Sequence, residues 1–446
     1  MSVERSKANK AASLGKGSVP SLVLRFAATT FAALLLNSVY SLTDALFVSW
    51  RVGENAMGGI SLVFPFVVLQ GAISTAVGSG AASVVSRKLG QGDPRAAGEA
   101  TQTARAVFYL SALLISIIGL LLLDPLLAFM GATPELYLPA KQYFTILLLG
   151  NVFSTGFSSI IRAEGNMLYG LLIWVIPITL NIGLDALFIL AFDWGIQGSA
   201  AATVLCQFLS AMMSVLFFRN FSVQEFKNAR PRLKVVGEIL AIGVPSLVQM
   251  GSLSLATLVL NRVLSETGGT AGVNAFAYIS KILTVAVLPF TAVAQAVAPI
   301  VGYSFGAGQL RRMQKTFRFG LLLSFLYALL SFGVLCAAPT AFLRLFTDNR
   351  GVLETGTAGL RVIAVSLWFL PLPLLLASVL QAAGKKLWSL LLYGASSVLL
   401  LPIAWLFAKG FGVSGVWWAY VVSNAAATLL AAGKLLITQR EYKKTL

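Results

Sequence analysis

Residues 167–192 read MLYGLLIWVIPITLNIGLDALFILAF, 26 positions with a single charged side chain, Asp185. As an α-helix this stretch is about 39 Å long, more than the roughly 30 Å of a bilayer's hydrocarbon core. A soluble helix buries one apolar stripe and shows water the rest, whereas this segment is apolar on every face. Comparable runs lie at about 21–48, 58–85, 98–123, 139–161 and 197–218. A second set lies at about 236–261, 271–300, 316–338, 356–383, 387–409 and 414–437. The reading is an all-α polytopic membrane protein with twelve transmembrane helices.

Composition agrees. Of 446 residues, 57% are hydrophobic and 11% charged, against roughly 25% charged in soluble domains. Mean hydropathy is +0.84. The apolar runs are continuous and do not alternate, which excludes a transmembrane barrel. With no histidine, His-based triads, His general bases and imidazole zinc sites are excluded. Cys206 and Cys336 sit in apolar runs without CxxC spacing and read as small packing residues, with no disulfide framework.

The net charge of +17 gives no support for nucleic acid once the charges are placed. Of 33 Lys and Arg, 25 fall at the N-terminus, the even-to-odd connections, the C-terminus or their helix ends, among them Arg87, Lys88, Arg230, Arg311 and Lys385. The other 8 are on the opposite loops or in helices. By the positive-inside rule both termini are expected in the cytoplasm and the protein in the cytoplasmic (inner) membrane. The apolar run from Leu22 is too long for a signal peptide and reads as an uncleaved first helix. The expected organisation is a mobile N-terminus at 1–18, a six-helix half at 19–218, a cytoplasmic linker at 219–235, a second half at 236–438 and a tail at 439–446.

A weak internal duplication supports the two halves. Gly165 and Leu168-Tyr169 match Gly384 and Leu387-Trp388 at an offset of 219, and Gly195-Ile196-Gln197-Gly198 matches Gly412-Val413-Ser414-Gly415 at 217. Pro65-Phe66 has a counterpart in Pro289-Phe290, and Leu89-Gly90-Gln91-Gly92 in Phe305-Gly306-Ala307-Gly308. Six helices per repeat return the chain to the same side, so the repeats are parallel about an axis along the membrane normal, as in many secondary transporters. No GxxxxGK[ST] sequence is present, and Gly90–Pro94 reads as a turn.

Ionisable groups inside a bilayer are costly and are functional candidates by default. Asn37, Ser41 and Asp44 fall at i, i+4 and i+7 on one face of the first helix; the alternative for Asp44 is a solvated position past the helix end. Pro177, Asn181 and Asp185 form one stripe of the fifth helix, where the proline frees a backbone carbonyl. Asp185 is either a site carboxylate or a structural one bonded to a neighbouring helix. Thr203 on the sixth helix offers a hydroxyl, unless it satisfies its own helix. Lys281, about ten residues into the eighth helix, reads as snorkelling or lining a wet vestibule, as a counter-charge or as a substrate contact. Arg25 and Arg361 read as interfacial, and Glu164 as paired with Arg162 or the loops. Tyr40, Phe64, Phe153, Phe157 and Phe276 are possible cavity aromatics, with ordinary packing the favoured alternative.

The six-plus-six topology, Asp44 late in the first helix, Pro65, the Ser86–Asp93 loop and the Arg162-Ala163-Glu164-Gly165 turn together resemble the MATE (multidrug and toxic compound extrusion) transporters over essentially the whole chain, closest to their bacterial and DinF-like branch. That resemblance implies a coupling-cation site in the N-terminal half, formed by Asp44, Asn181, Asp185 and Thr203. The NorM-like branch places acids on helices 7 and 10, where this chain has Gln249, Asn261 and Gln381. Two carboxylates, an amide carbonyl and a hydroxyl suit Na⁺, the only metal ion expected there. Alternatively, two neighbouring buried carboxylates cannot both stay ionised, which makes a proton carrier. The implied activity is H⁺- or Na⁺-coupled antiport of amphipathic, cationic drugs or toxic organic compounds. No cofactor beyond the coupling ion is implied; the partners are organic cations and the lipid bilayer, and the working unit is a monomer. A flippase of lipid-linked or polysaccharide cargo, or an intramembrane aspartyl enzyme, is the alternative.

Overall fold

The computed structural model describes residues 14–52, 54–130, 132, 134–154, 156–222 and 229–445. Inside the helices it leaves out the side chains of 41–47, 49–50, 54–55, 57, 61, 253–255, 258, 270 and 438–445. Among the described residues the regular structure is helical throughout. The first half runs α1 (Val19–Phe47), α2 (Glu54–Gly90), α3 (Pro94–Leu121), the short α4 (Leu123–Phe129), α5 (Pro134–Gly150), the short α6 (Phe157–Ala163), α7 (Met167–Asp185) and α8 (Gly195–Asn220). It continues with α9 (Leu233–Gly306), α10 (Leu310–Ala337), the short α11 (Pro339–Arg344), α12 (Arg350–Ser366), α13 (Pro371–Ala382) and α14 (Lys386–Thr445).

Among the described residues, ten stretches are long and apolar enough to cross a membrane, and α12 with α13, bent by 50°, makes an eleventh. One of the ten, Lys386–Ile437, has 52 residues, about 78 Å of helix and far too long for one crossing. Gly412 breaks it with φ 58° and ψ −140°, so it counts as two and the total is twelve. Gly269, at φ 54°, breaks α9 in the same way.

The chain forms two compact units. The first comprises Met1–Lys16, Ala32–Gly243 and Gly302–Gly308; the second comprises Gly17–Phe31, Val244–Val301 and Gln309–Leu446. In the first unit, α2 packs on α3, α5 and α6, and α8 packs on α5 and α7. Phe157 is the centre of one core, with edge-on rings of Phe108 at 5.2 Å and Phe218 at 5.4 Å. In the second unit, α14 packs on α12 and α13 around Trp417, Phe276, Leu360 and Ile363, all essentially buried.

The duplication is visible in the backbone. Gly165 and Gly384 have φ of 85° and 78°, Gly92 and Gly308 have 77° and 70°, and Gly195 and Gly412 have 56° and 58°. The first pair closes identical turns: Gly165 N–H donates to Arg162 O and Gly384 N–H to Gln381 O, both at 2.9 Å. An L side chain is strained there, which is why glycine marks both copies.

Within the first unit, α2 meets both ends of α9 backbone to backbone. A Cβ on Gly80 would come 2.0 Å from Ile239 O, and one on Gly243 2.2 Å from Ala76 O. At the other contact, a Cβ on Gly90 would lie 2.1 Å from Tyr303 O, and one on Gly306 2.0 Å from Arg87 O. Arg87 also donates to Glu238 at 2.9 Å. Only glycine fits these crossings.

Two predicted spans are interrupted. The fourth breaks between α5 and α6, where Asn151–Phe153 form a single 3₁₀ turn and the buried Asn151 amide donates to Ala112 O at 2.9 Å. The tenth breaks at Leu367–Leu370, ahead of Pro371 and Pro373, since a residue before proline is driven out of the helical region. Asp93 caps α3, accepting from Ala96 N–H at 2.9 Å, so Gly90–Pro94 is the expected turn.

Candidate functional site

Four elements of the first unit enclose a cavity of about 230 Å³. From α7, Ile173, Pro177 and Asn181 face it at four-residue spacing, with Trp174 and Ile178 beside them. Proline at 177 takes the N–H from the Ile173 carbonyl, so that polar atom lies on the cavity side of the helix. From α8 come Thr203, Cys206, Gln207, Ser210 and Ser214; α1 adds Asn37 and Tyr40, and the broken fourth span adds Phe153, Ser154 and Ser158. None of these lining residues carries a formal charge.

The charge lies just beyond. Asp185, one turn past Asn181, is 0% exposed, and Asn181 is 1% exposed. The Asn181 amide makes no conventional hydrogen bond among the described residues; its neighbour is the Cys206 thiol, which also lies within electrostatic reach of Asp185. A thiol is a weak partner for an amide. Tyr40 Oη and Thr203 Oγ1 approach to 3.5 Å, the outer limit of a hydrogen bond. The cluster is polar, with Asn181 and Asp185 buried and Tyr40 and Thr203 half-buried.

The backbone changes character where the acid sits. After Asp185, α7 passes into a π-helical stretch, Ala186–Ala191, in which Phe192 N–H reaches back five residues to Leu187 O at 3.0 Å. A second π stretch, Val48–Val52, follows α1 directly, four residues after Asp44. The two pack together, with Val48 and Ile189 both 0% exposed in one core. Such stretches are rare and concentrate at functional sites. Gly198 on α8 lets that helix lie against the π stretch, since a Cβ there would meet Phe188 Cβ at 3.0 Å.

The expected residues divide accordingly. Asn37, Tyr40, Phe153, Pro177, Asn181 and Thr203 line the cavity and Asp185 adjoins it. The side chains of Asp44 and Ser41 lie outside the described residues. The remaining aromatics are elsewhere: Phe64 is 60% exposed, Phe157 is core, and Phe276 is stacked on Trp417 in the second unit. Phe157 and Phe276 thus pack in hydrophobic cores, the favoured alternative for them, while Phe64 is on the surface. Glu164 is buried and accepts from Ser222 at 2.8 Å, while Arg162 donates to Ser159.

Lys281 is exposed in the second unit, its Nζ 5.8 Å from the Phe346 ring. An exposed cation over an aromatic face contributes roughly 0.5–1 kcal/mol. Lys281→Gln should therefore leave export of each tested cation within about twofold of wild type. Vesicle efflux measures this, and a selective gain for dications would place the charge on the transport path.

Gln207, Ser210, Ser214 and Cys206 were not anticipated. The signal was in the sequence: Thr203, Gln207, Ser210 and Ser214 follow the 4-3-4 spacing of one helical face. In the second unit, buried Gln381 donates to Ser246 at 2.8 Å. Among the described residues, the acids of that unit, Glu266, Asp348 and Glu354, are all exposed. No group of three or more His, Cys, Asp or Glu capable of holding a metal occurs among the described residues.

An all-helical chain of twelve spans in two six-helix repeats, with a polar cavity inside the first unit, defines a class of polytopic membrane proteins. The MatE family model matches residues 30–187 and 245–406, and the chain belongs to that family. It is 23% identical to multidrug export protein MepA of Staphylococcus aureus strain MRSA252 over 93% of both chains. To MepA of Staphylococcus haemolyticus strain JCSC1435 it is 21% identical, again over 93% of both. Among solved structures it superposes on MATE in complex with MaL6 with a TM-score of 0.90 at 24% identity, covering 97% of this chain and 99% of that one. The outward-facing conformation of a multidrug resistance MATE family transporter of the MOP superfamily gives 0.89 at 23%, covering 96% and 98%.

Proposed function

We propose that this protein is an ion-coupled exporter of amphipathic organic cations, exchanging them for H⁺ or Na⁺ across the cytoplasmic membrane with both termini on the cytoplasmic side. The observation that carries this reading is a fully buried carboxylate, Asp185, behind Asn181 and beside a cavity with uncharged, partly aromatic walls. The multidrug export named for the staphylococcal relatives supports it. A charge in the membrane interior must be balanced or neutralised. Asp185, with Asp44 from α1, is balanced in turn by the coupling ion and by the cationic substrate, so that the two compete.

Each neighbour has a part. Asn181 and Thr203 supply neutral oxygens to the ion. Trp174 and Tyr40 offer aromatic faces to an organic cation. Gln207, Ser210 and Ser214 make a hydroxyl- and amide-lined wall with no fixed charge, which suits a broad range of substrates. A flippase of anionic lipid-linked cargo needs cations in its cavity, and none is present among the lining residues.

Proteoliposomes test the proposal directly. An imposed pH gradient or an imposed Na⁺ gradient should drive export of a fluorescent organic cation, and the gradient that works identifies the ion. Export that ignores both gradients overturns ion coupling.

A further inference from the structure

The second unit holds a buried cation that the proposed transport site does not use. Lys434 is 7% exposed and lies on α14, three residues inside the end of the membrane span at Ile437. Because α14 folds back at Gly412, its two ends meet, and Lys434 Nζ lies 4.7 Å from the centre of the Trp388 ring. That ring is its only polar contact among the described residues. From residue 355 to 440 the sequence contains no Asp or Glu, and Glu441, seven positions further on, has its side chain outside the described ones.

The surroundings add to the charge. Lys385 and Lys386, exposed, open α14 immediately before Trp388. Phe317, from α10, packs in the same core as Trp388 and Leu435, and its helix carries the exposed Lys315 and Arg318 close by. Cations in membrane loops need no explanation beyond topology, since positive charge collects on one side. Lys434 is different, because its stem is packed inside a span, where a charge is stabilised by an anion that meets it. One turn inside the end of a span is the depth of lipid headgroups, where tryptophan also concentrates.

We propose that Lys434, Trp388, Lys385 and Lys386 bind the phosphate of an anionic phospholipid. Lys434 makes the central ion pair, Trp388 fixes the ammonium and packs on the acyl-chain side, and the two exposed lysines close over the headgroup.

Native mass spectrometry of the full-length protein, titrated with phosphatidylglycerol and with phosphatidylcholine, tests this. Wild type should retain phosphatidylglycerol preferentially. Lys434→Gln should lower that retention about fivefold, the effect of one cation near an anionic lipid, while Lys434→Arg keeps it. Because Lys434 is buried, the exposed double variant Lys385→Gln/Lys386→Gln gives an independent reading and should also lose retention severalfold. Equal retention of the two lipids by wild type, or no loss in either the Lys434→Gln or the double variant, overturns the proposal. Glycerol 3-phosphate separates the sources of phosphate: binding as tight as the lipid's overturns the assignment to lipid, and much weaker binding supports it.

Discussion

Asp185→Asn should insert and fold like wild type yet lose gradient-driven export by about tenfold or more, within the 5- to 150-fold span of typical coupling free energies. The side chain is fully buried, and an amide replaces the carboxyl almost atom for atom, so packing is preserved. What disappears is the ability to alternate between a charged and a neutralised state. Substrate binding should weaken less than transport, because the uncharged walls of the cavity remain. Asn181→Ala and Thr203→Ala should each cost less than Asp185→Asn, since they remove neutral ligands and leave the charge. Efflux from proteoliposomes across a range of pH reads the result. Wild-type export with a wild-type pH profile in Asp185→Asn would make the carboxylate structural and move the coupling site elsewhere.

Gly306→Val should be the most destabilising single change outside the cavity. Its Cβ would sit 2.0 Å from Arg87 O and 2.7 Å from the Arg87 carbonyl carbon. Those are backbone atoms, which cannot swing aside as a flexible side chain does, so α2 and α9 must separate. Overpacking commonly costs about 1–3 kcal/mol, and this site belongs at the upper end. Gly71→Ala on α2 is the control: nothing lies within 4 Å of a Cβ there, and alanine favours a helix over glycine by about 1 kcal/mol. Thermal unfolding followed by size-exclusion chromatography should show Gly306→Val melting well below wild type and Gly71→Ala at or above it. Equal melting of the two variants would show that the crossing can relax.

Much of the fold was legible because the bilayer imposes a single requirement, about 20 apolar residues per crossing. That requirement does not see local breaks. The 3₁₀ turn at Asn151–Phe153 depends on an amide reaching Ala112 O, a tertiary contact that leaves no periodic trace. Glycine was more informative: the duplicated Gly165/Gly384 and Gly195/Gly412 pairs matched in sequence because both copies need the same positive φ. Of the site, Asn181 and Asp185 stood out as polar interruptions of an apolar helix. The Thr203–Gln207–Ser210–Ser214 face did not, because serine and threonine occur so often in membrane helices that single occurrences carry little weight. Cys206 read as packing and does pack, but beside the amide of Asn181.

The paired π stretches after α1 and α7 bear on how the chain tolerates changes of length. A turn that closes through i→i+5 holds one residue more than the α-helical turn it replaces. The stretch Ala186–Ala191 thus behaves as an inserted residue retained in a helix. Deleting one residue there can be absorbed by reverting to α-helical pitch, leaving Asp185 on its face and Gly195 at its turn. The same deletion nearly three turns earlier, between Pro177 and Asn181, would rotate Asn181 and Asp185 by about 100° away from the cavity. Two positions ten residues apart on one helix should therefore differ sharply in what evolution, or an engineer, can remove.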